Sequence, residues 1–471
     1  MKDKPYLEIS KHLPLELATR YKAVPQGIEN NVLTLLVDST VNTDQVKQEL
    51  EVLTGYVIKC ISEAPETVEG LTNKLYRTNR STDLSRPKII HEGGDDFLAK
   101  IIVEAKQLES SDIHIESYAD VCRIRFRIDG KLLERYHIPR ADYASFINKI
   151  KIRAKLDIAE KRLPQDGRIL FDGQNERVDL RVSVMPTLHG EKVVLRLLSS
   201  DATHIKLDQL GLDPKQYEDF VTVLKKPNGI ILISGPTGSG KTTTLYAALK
   251  VLNKEDSNIL TIEDPIEYTL EGVNQVQLKE NIGLTFSSAI RTFLRQDPDV
   301  IMLGEIRDPD TAQMAIRAAL TGHLVLSTIH TNSAWGTVAR LIDMGVPTFL
   351  LANTLNMTMA QRLVRRLCAH CKRIAADQDH EILKALSLGR KKFFEAVGCS
   401  ECFYTGYSGR IALYEVIPID AILGNAIRNN RPTIDDEMAK NRIGTLKNRA
   451  VQLLETGVTS FEEVYPIILN N

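Results

Sequence analysis

Residues 228–249 run as an apolar stretch, a glycine-rich turn and a helix-forming stretch, an order that few architectures accommodate. Gly235-Pro236-Thr237-Gly238-Ser239-Gly240-Lys241-Thr242 fits G-x-x-x-x-G-K-[ST], the phosphate-binding loop. Residues 230–233 read as a buried strand before it, and residues 242–249 as a helix after it. Successive backbone N–H groups of such a loop, at the positive end of a helix, cradle phosphate oxygens. Lys241 is expected to reach the β- and γ-phosphates of a nucleoside triphosphate, and the Thr242 hydroxyl to bind Mg2+. The rival reading, an accidental glycine turn, does not explain why strand, loop and helix stand in register.

Further strands are expected at 258–262, 300–303 and 324–328, separated by helical stretches such as 287–296 and 309–320. Strands alternating with helices imply an α/β domain with a mainly parallel sheet covered on both faces. In open α/β sheets ligands bind outside the carboxyl ends of strands. Two acidic groups stand there: Glu263-Asp264-Pro265-Ile266-Glu267 after one strand and Gly304-Glu305 after the next. Hydrolysis needs a holder for Mg2+ and a group that orients water, so Glu263, Glu267 and Glu305 are candidates. The plainer reading of either group alone is an exposed acidic loop. His323 and His330 flank the strand 324–328. A histidine near a γ-phosphate could sense it by hydrogen bonding, although a lone core histidine is the commoner explanation.

The rest of the chain bounds the setting. At 471 residues it suggests roughly three domains. A formal net charge of −1 gives no global basic field, so no nucleic-acid partner is expected. No apolar run approaches the roughly 18 residues that span a bilayer, and no secretory core follows Met1, so the expected location is the cytoplasm. Any membrane contact is then peripheral, through partners. Residues 1–75 read as a small α+β docking module, or equally as a cap on the next domain, with strands at 33–37 and 56–61. A helix over 43–53 is expected to open on a Thr/Asp cap. Residues 76–94 read as a linker and 95–205 as a second α+β domain. In that domain Asp129-Gly130 marks a hairpin turn. Ile124, Phe126 and Ile128 should face inward, leaving Arg123, Arg125 and Arg127 as a solvated row. Arg181 and Arg196 are single arginines on two later strands. The nucleotide domain is assigned to 206–363.

Cys368-Ala369-His370-Cys371 and Cys399-Ser400-Glu401-Cys402 are two C-x-x-C knuckles separated by 27 residues, 372 to 398. The interval exceeds the usual zinc-ribbon spacing, which loop-closure entropy tolerates. Four thiolates make a closed tetrahedral Zn2+ site, structural and not catalytic; the rival is a reversible disulfide pair. This module is assigned to 364–411, followed by a helical C-terminal subdomain over 412–471. Cys60 and Cys122 read as small core residues.

Together, residues 235–242, 261–267, 295–308 and 321–332 resemble the secretion ATPase superfamily, and within it the type II secretion and type IV pilus assembly ATPases. Ser111-Asp112-Ile113-His114-Ile115-Glu116 and residues 155–168 match that group's second domain, so the resemblance covers about residue 95 to the C-terminus. It implies a RecA-like motor, a preceding PAS-like domain and a homo-hexamer with ATP completed by a neighbouring subunit. It also places Arg181 and Arg196 where the family's phosphate-reaching arginines stand, and Glu305 at the catalytic or metal-assisting glutamate. Glu263 and Glu267 fall in its second acidic box. Assembly ATPases carry the tetracysteine element, which retraction ATPases generally lack.

The resulting expectation is a cytoplasmic hexameric ATPase at the inner face of the inner membrane. It would use ATP, Mg2+ and Zn2+ to drive pseudopilus assembly through an inner-membrane platform and a cytoplasmic-domain adaptor. Type IV pilus assembly is the near alternative. A nucleic-acid translocase, and a binding module that rarely hydrolyses, are the alternatives of another kind.

Overall fold

The computed structural model describes residues 12–13, 15–29, 31–65, 68, 88–89, 95–172, 177–198, 206–375 and 393–469. Most of the linker expected at 76–94 lies outside the described residues. By contact the chain divides into two compact units, residues 1–169 with 181–196, and residues 170–180 with 197–471.

At the amino end β1 (Ala23–Glu29) pairs antiparallel with β2 (Val32–Asp38), and β2 pairs parallel with β3 (Val57–Glu63). The helix Thr43–Thr54 makes the crossover. Alternation in β2 sends Leu33, Leu35 and Val37 into a core with Val46 and Leu50. The cap is not the expected Thr/Asp pair: the Asn42 side chain accepts N–H bonds from Asp44 and Gln45.

The second sheet orders β4 (Lys88–Ile89), β5 (Asp112–Ser117), β6 (Cys122–Ile128), β7 (Lys131–Ile138), β8 (Gln165–Asp172), β9 (Arg177–Thr187) and β10 (Gly190–Leu198) as β4-β7-β6-β5-β10-β9-β8. β4, inside the expected linker, instead adds a two-residue parallel edge to β7. Asp129 and Gly130 turn the hairpin with φ of 47° and 83°, the paired positive angles that an Asp-Gly turn supplies. Ile124 and Phe126 are buried as expected, while Ile128, next to the turn, is only half-buried. The arginine row is not merely solvated. Arg123 and Arg125 close on Glu116 at 3.2 and 2.8 Å, and Arg127 lies 3.5 Å from Asp112. Burial alone would raise the Glu116 carboxyl, yet Arg125 and Lys192 hold it at about 2.

The third sheet contains β11 (Gly229–Ser234), β12 (Ile259–Glu263), β13 (Asn274–Gln277), β14 (Val300–Leu303), β15 (Leu324–Ile329), β16 (Leu355–Leu367) and, after a two-stranded ribbon of β17 (Arg373–Ile374) and β18 (Phe394–Glu395), β19 (Tyr407–Pro418). Its order is β13-β12-β14-β15-β11-β16-β19, parallel except for β19 against β16. β11 is buried throughout: Ile230 and Leu232 enter one core, Ile231 and Ile233 the other. Such two-sided burial is why the strand reads as an unbroken apolar run. The sheet continues past residue 363 through the end of β16 and on into β19. Leu423, Ile427, Leu446, Leu454 and Val464 of the C-terminal helices share a core with the sheet, so they form no separate hydrophobic unit. Among the described residues no helix is long and apolar enough to cross a membrane.

Candidate functional site

β11 ends at Ser234, and residues 235–240 carry the chain into the helix Lys241–Leu252. Gly235, Gly238 and Gly240 have φ of 150°, 78° and 87°, a region that side chains disfavour. A Cβ on Gly235 would lie 2.5 Å from the Gln361 carbonyl oxygen and 2.7 Å from Ser239 Oγ. One on Gly240 would lie 2.9 Å from Gln361 Nε2. Close approach and backbone angle therefore both demand glycine. Among the described residues no side chain caps the amino end of the helix, which leaves its first N–H groups for an anion. Thr242 is exposed in that first turn. Ser239 Oγ is buried without a hydrogen-bond partner among the described residues. Lys241 Nζ donates to the carbonyls of Gly235 and Pro236 at 2.8 and 3.1 Å, so the ammonium lies over the loop. Burial pushes its pKa down, with nearby Glu305 opposing this and Arg362 adding to it. This donor set suits a polyphosphate: backbone N–H groups, one ammonium and a hydroxyl placed for Mg2+.

Parallel pairing decides which other candidates belong here. Gly229 pairs with Leu324 and Ser234 with Ile329, so β15 ends beside the loop. His330 follows that end, and its Nε2 lies 3.4 Å from Glu305 Oε2. Glu305, just past β14, also pairs with Arg307, which stands 4.0 Å from Asp264. Lys241, Glu305, His330 and Arg307 thus gather at the carboxyl ends of β11, β14 and β15.

His323 does not join them. It precedes β15 and sits roughly 20 Å away along the strand at about 3.3 Å per residue. Its Nδ1 donates to the Ala318 carbonyl at 2.9 Å, closing the end of the helix Pro309–Leu320. Glu263, the last residue of β12, is engaged by side chains around it. Its buried carboxylate accepts from Thr261 Oγ1 at 2.7 Å, Gln275 Nε2 at 3.0 Å and the Tyr246 hydroxyl. Burial and this carboxylate raise the Tyr246 pKa. Glu267 is half-buried, and its backbone N–H bonds to the same hydroxyl. The geometry makes Glu263 a brace beneath the loop helix. Arg181 on β9 and Arg196 on β10 belong to the other compact unit. Arg196 Nε donates to Asp112 at 3.0 Å with its side chain 58% exposed.

Gln361 and Arg362 were invisible to motif spacing. Gln361 accepts from Thr244 Oγ1 at 2.9 Å and packs against Gly235 and Gly240. Arg362 Nη1 lies 3.4 Å from where a Gly235 Cβ would stand. The signal, a polar pair interrupting apolar strand residues 359–364, has meaning only once β16 is known to flank β11.

The four module cysteines converge, with all Sγ atoms within 4.8 Å of one another. Cys368–Cys399, Cys371–Cys402 and Cys399–Cys402 Sγ separations are 3.8, 3.7 and 3.8 Å, and none is disulfide-bonded. A tetrahedron with metal–sulfur bonds of about 2.3 Å has edges of about 3.8 Å, so the cluster fits a metal ion. N–H groups of Gly398, Cys399 and Gly406 reach Sγ atoms at 3.2 Å, the kind of contact that favours thiolates. Burial pushes the Cys371 thiol up to about 12. Burial opposes the trend at Cys402, but N–H bonds from Cys399 and Gly406 and its neighbouring thiols hold it below the ordinary value.

A family model described as Type II/IV secretion system protein matches residues 94–466. The type IV pilus assembly ATPase PilB of Myxococcus xanthus is 40% identical over 490 residues, covering 97% of this chain and 86% of that protein. The type II secretion system protein E of Aeromonas hydrophila is 42% identical, covering 88% and 84%. Among solved structures, the pilus retraction motor PilT with bound ADP is similar at TM-score 0.54 and 27% identity, over 78% of this chain and 95% of that one. The Legionella pneumophila ATPase DotB, at TM-score 0.61 and 21% identity over 82% and 100%, supports the fold. With the phosphate loop built as described and the match running over most of its length, the chain belongs to the Type II/IV secretion system protein family, as one of its ATPases.

Proposed function

We propose that this ATPase works as a homo-hexamer at the cytoplasmic face of the inner membrane and powers pseudopilus assembly for type II secretion. The carrying observation is the gathering of Lys241, Glu305 and His330 at the ends of three parallel strands. In hydrolysis a water oxygen bonds to the γ-phosphorus while the bond to the ADP oxygen breaks, and Glu305 takes the water proton. Lys241 neutralises charge on the β- and γ-phosphates, and His330 orients Glu305 from 3.4 Å. Thr242 would hold Mg2+, which supplies further charge neutralisation to the same oxygens. Cys368, Cys371, Cys399 and Cys402 would hold a structural Zn2+. Arg181 and Arg196 would supply further cations to the phosphates as arginine fingers.

Residues 1–75 would dock on an adaptor's cytoplasmic domain, with a membrane platform as the driven partner. The M. xanthus relative, matching 97% of this chain, favours type IV pilus assembly as the second reading. Turnover is measured with the cytoplasmic domain of a type II platform, with that of a pilus platform, or with single-stranded DNA. Stimulation by the first alone supports secretion, and by the second alone the pilus reading. Stimulation by DNA alone overturns both.

A further inference from the structure

Among the described residues, Arg362 is a half-buried cation without a carboxylate partner. Its guanidinium donates from Nη1 to the Gln361 carbonyl at 3.0 Å and from Nη2 to the Asn332 carbonyl at 2.8 Å. No carboxylate among the described residues lies within ion-pair distance of it. Placing an arginine that deep without an anion costs solvation, and burial does lower its pKa while the more distant Glu415 opposes this. β16 holds it against the loop: Ser234 pairs with Ala360, two residues before Arg362. Its Nη1 lies 3.4 Å from where a Gly235 Cβ would stand, beside the first glycine of the loop.

We infer that Arg362 binds the nucleotide's phosphate oxygens in the same chain as the loop, as a second cation beside Lys241. An arginine with two donors engaged on carbonyls retains guanidinium hydrogens for an anion. The bond to Asn332 adds a consequence, because that residue stands two positions after His330. From the other side, buried Glu415 accepts the Ala334 N–H at 2.8 Å and the Leu446 N–H at 3.2 Å. Residues 332–334 are therefore held between Arg362 and a carboxylate anchored to the C-terminal helices. Movement of Arg362 onto phosphate would pull on the segment that carries His330.

This inference rests on the ATPase reading, and the test separates the two. Binding of N-methylanthraniloyl-labelled ADP and ATP, with Mg2+, is measured by fluorescence on the full-length wild type, Arg362→Ala and Arg362→Lys, alongside melting temperatures without nucleotide. Arg362→Ala should weaken both nucleotides about ten- to a hundredfold, the range of a lost charge-assisted contact. Arg362→Lys should recover part of the loss, melting should stay unchanged, and KM should rise more than kcat falls. Wild-type affinity in Arg362→Ala would overturn the inference and leave the ATPase reading standing. A loss shared equally by Arg362→Lys, with a matching fall in melting temperature, would reduce the residue to packing and also overturn it. A wild type that binds neither nucleotide would sink the ATPase reading itself.

Discussion

At the scale of single residues, the site is a division of labour between groups of the same chemical kind. Two glutamates close adjacent strands, yet Glu305 stands in the company of Lys241, Arg307 and His330 while Glu263 is consumed by Thr261, Gln275 and Tyr246. Glu305→Gln should therefore cut turnover at least a hundredfold while labelled ATP still binds within about threefold of wild type. Glu263→Gln should act chiefly on stability, lowering the melting temperature, because its partners are structural. Near-normal hydrolysis by Glu305→Gln, or unchanged melting of Glu263→Gln, would reverse that assignment. Gly235→Ala puts a methyl 2.5 Å from the Gln361 carbonyl. It should abolish nucleotide binding even though the glycine offers no side chain. The phosphate loop was legible from spacing because its chemistry is local. The division between the glutamates was not, since Gln275 and Tyr246 reach Glu263 only through strand pairing and helix packing. The separation of His323 from His330 was not legible for a related reason: a flanking position names two ends of a strand, and only the parallel register with β11 says which end holds the loop.

At the scale of elements, the parallel sheet was readable from its runs of buried aliphatics, and β11 is the plainest instance. Leu232, buried completely, should cost about 2–5 kcal/mol as Leu232→Ala in chemical denaturation. β16 and β19 were harder to read, because their pairing crosses the cysteine module and joins residues about fifty positions apart. Glu415 on β19 illustrates what such pairing creates. It accepts two backbone N–H bonds in a buried place, and burial raises its pKa against those bonds. A carboxyl whose folded pKa is raised favours folding at low pH and loses that contribution as pH rises through the folded value. Wild type should thus lose stability relative to Glu415→Gln on going from acid toward neutral pH; parallel stability profiles would contradict this. The cysteine knuckles were legible as a pair of pairs, and folding brings their sulfurs to metal-binding distances. Metal analysis should return one Zn2+ per chain, and chelation should lower the melting temperature with the loop-bound nucleotide still detectable. A metal-free protein of undiminished stability would contradict a structural role.

At the scale of the whole molecule, the phosphate loop with Lys241, Glu305 and His330 lies in one compact unit, and the arginines proposed as fingers lie in the other. If neighbouring copies finish the site, specific activity should climb with protein concentration, and Arg181→Ala or Arg196→Ala should depress kcat while labelled ATP is retained. Concentration-independent activity, with both variants turning over normally, would place the complete machinery within one chain. Binding of Mg·ATP by the loop of residues 235–242 for hydrolysis is read out by phosphate release from purified wild type and Lys241→Ala at saturating Mg·ATP. Release should be sustained by the wild type and fall at least a hundredfold in the variant; equal release by the two proteins, or none from the wild type at concentrations where it self-associates, would rule the loop out as the site of ATP hydrolysis.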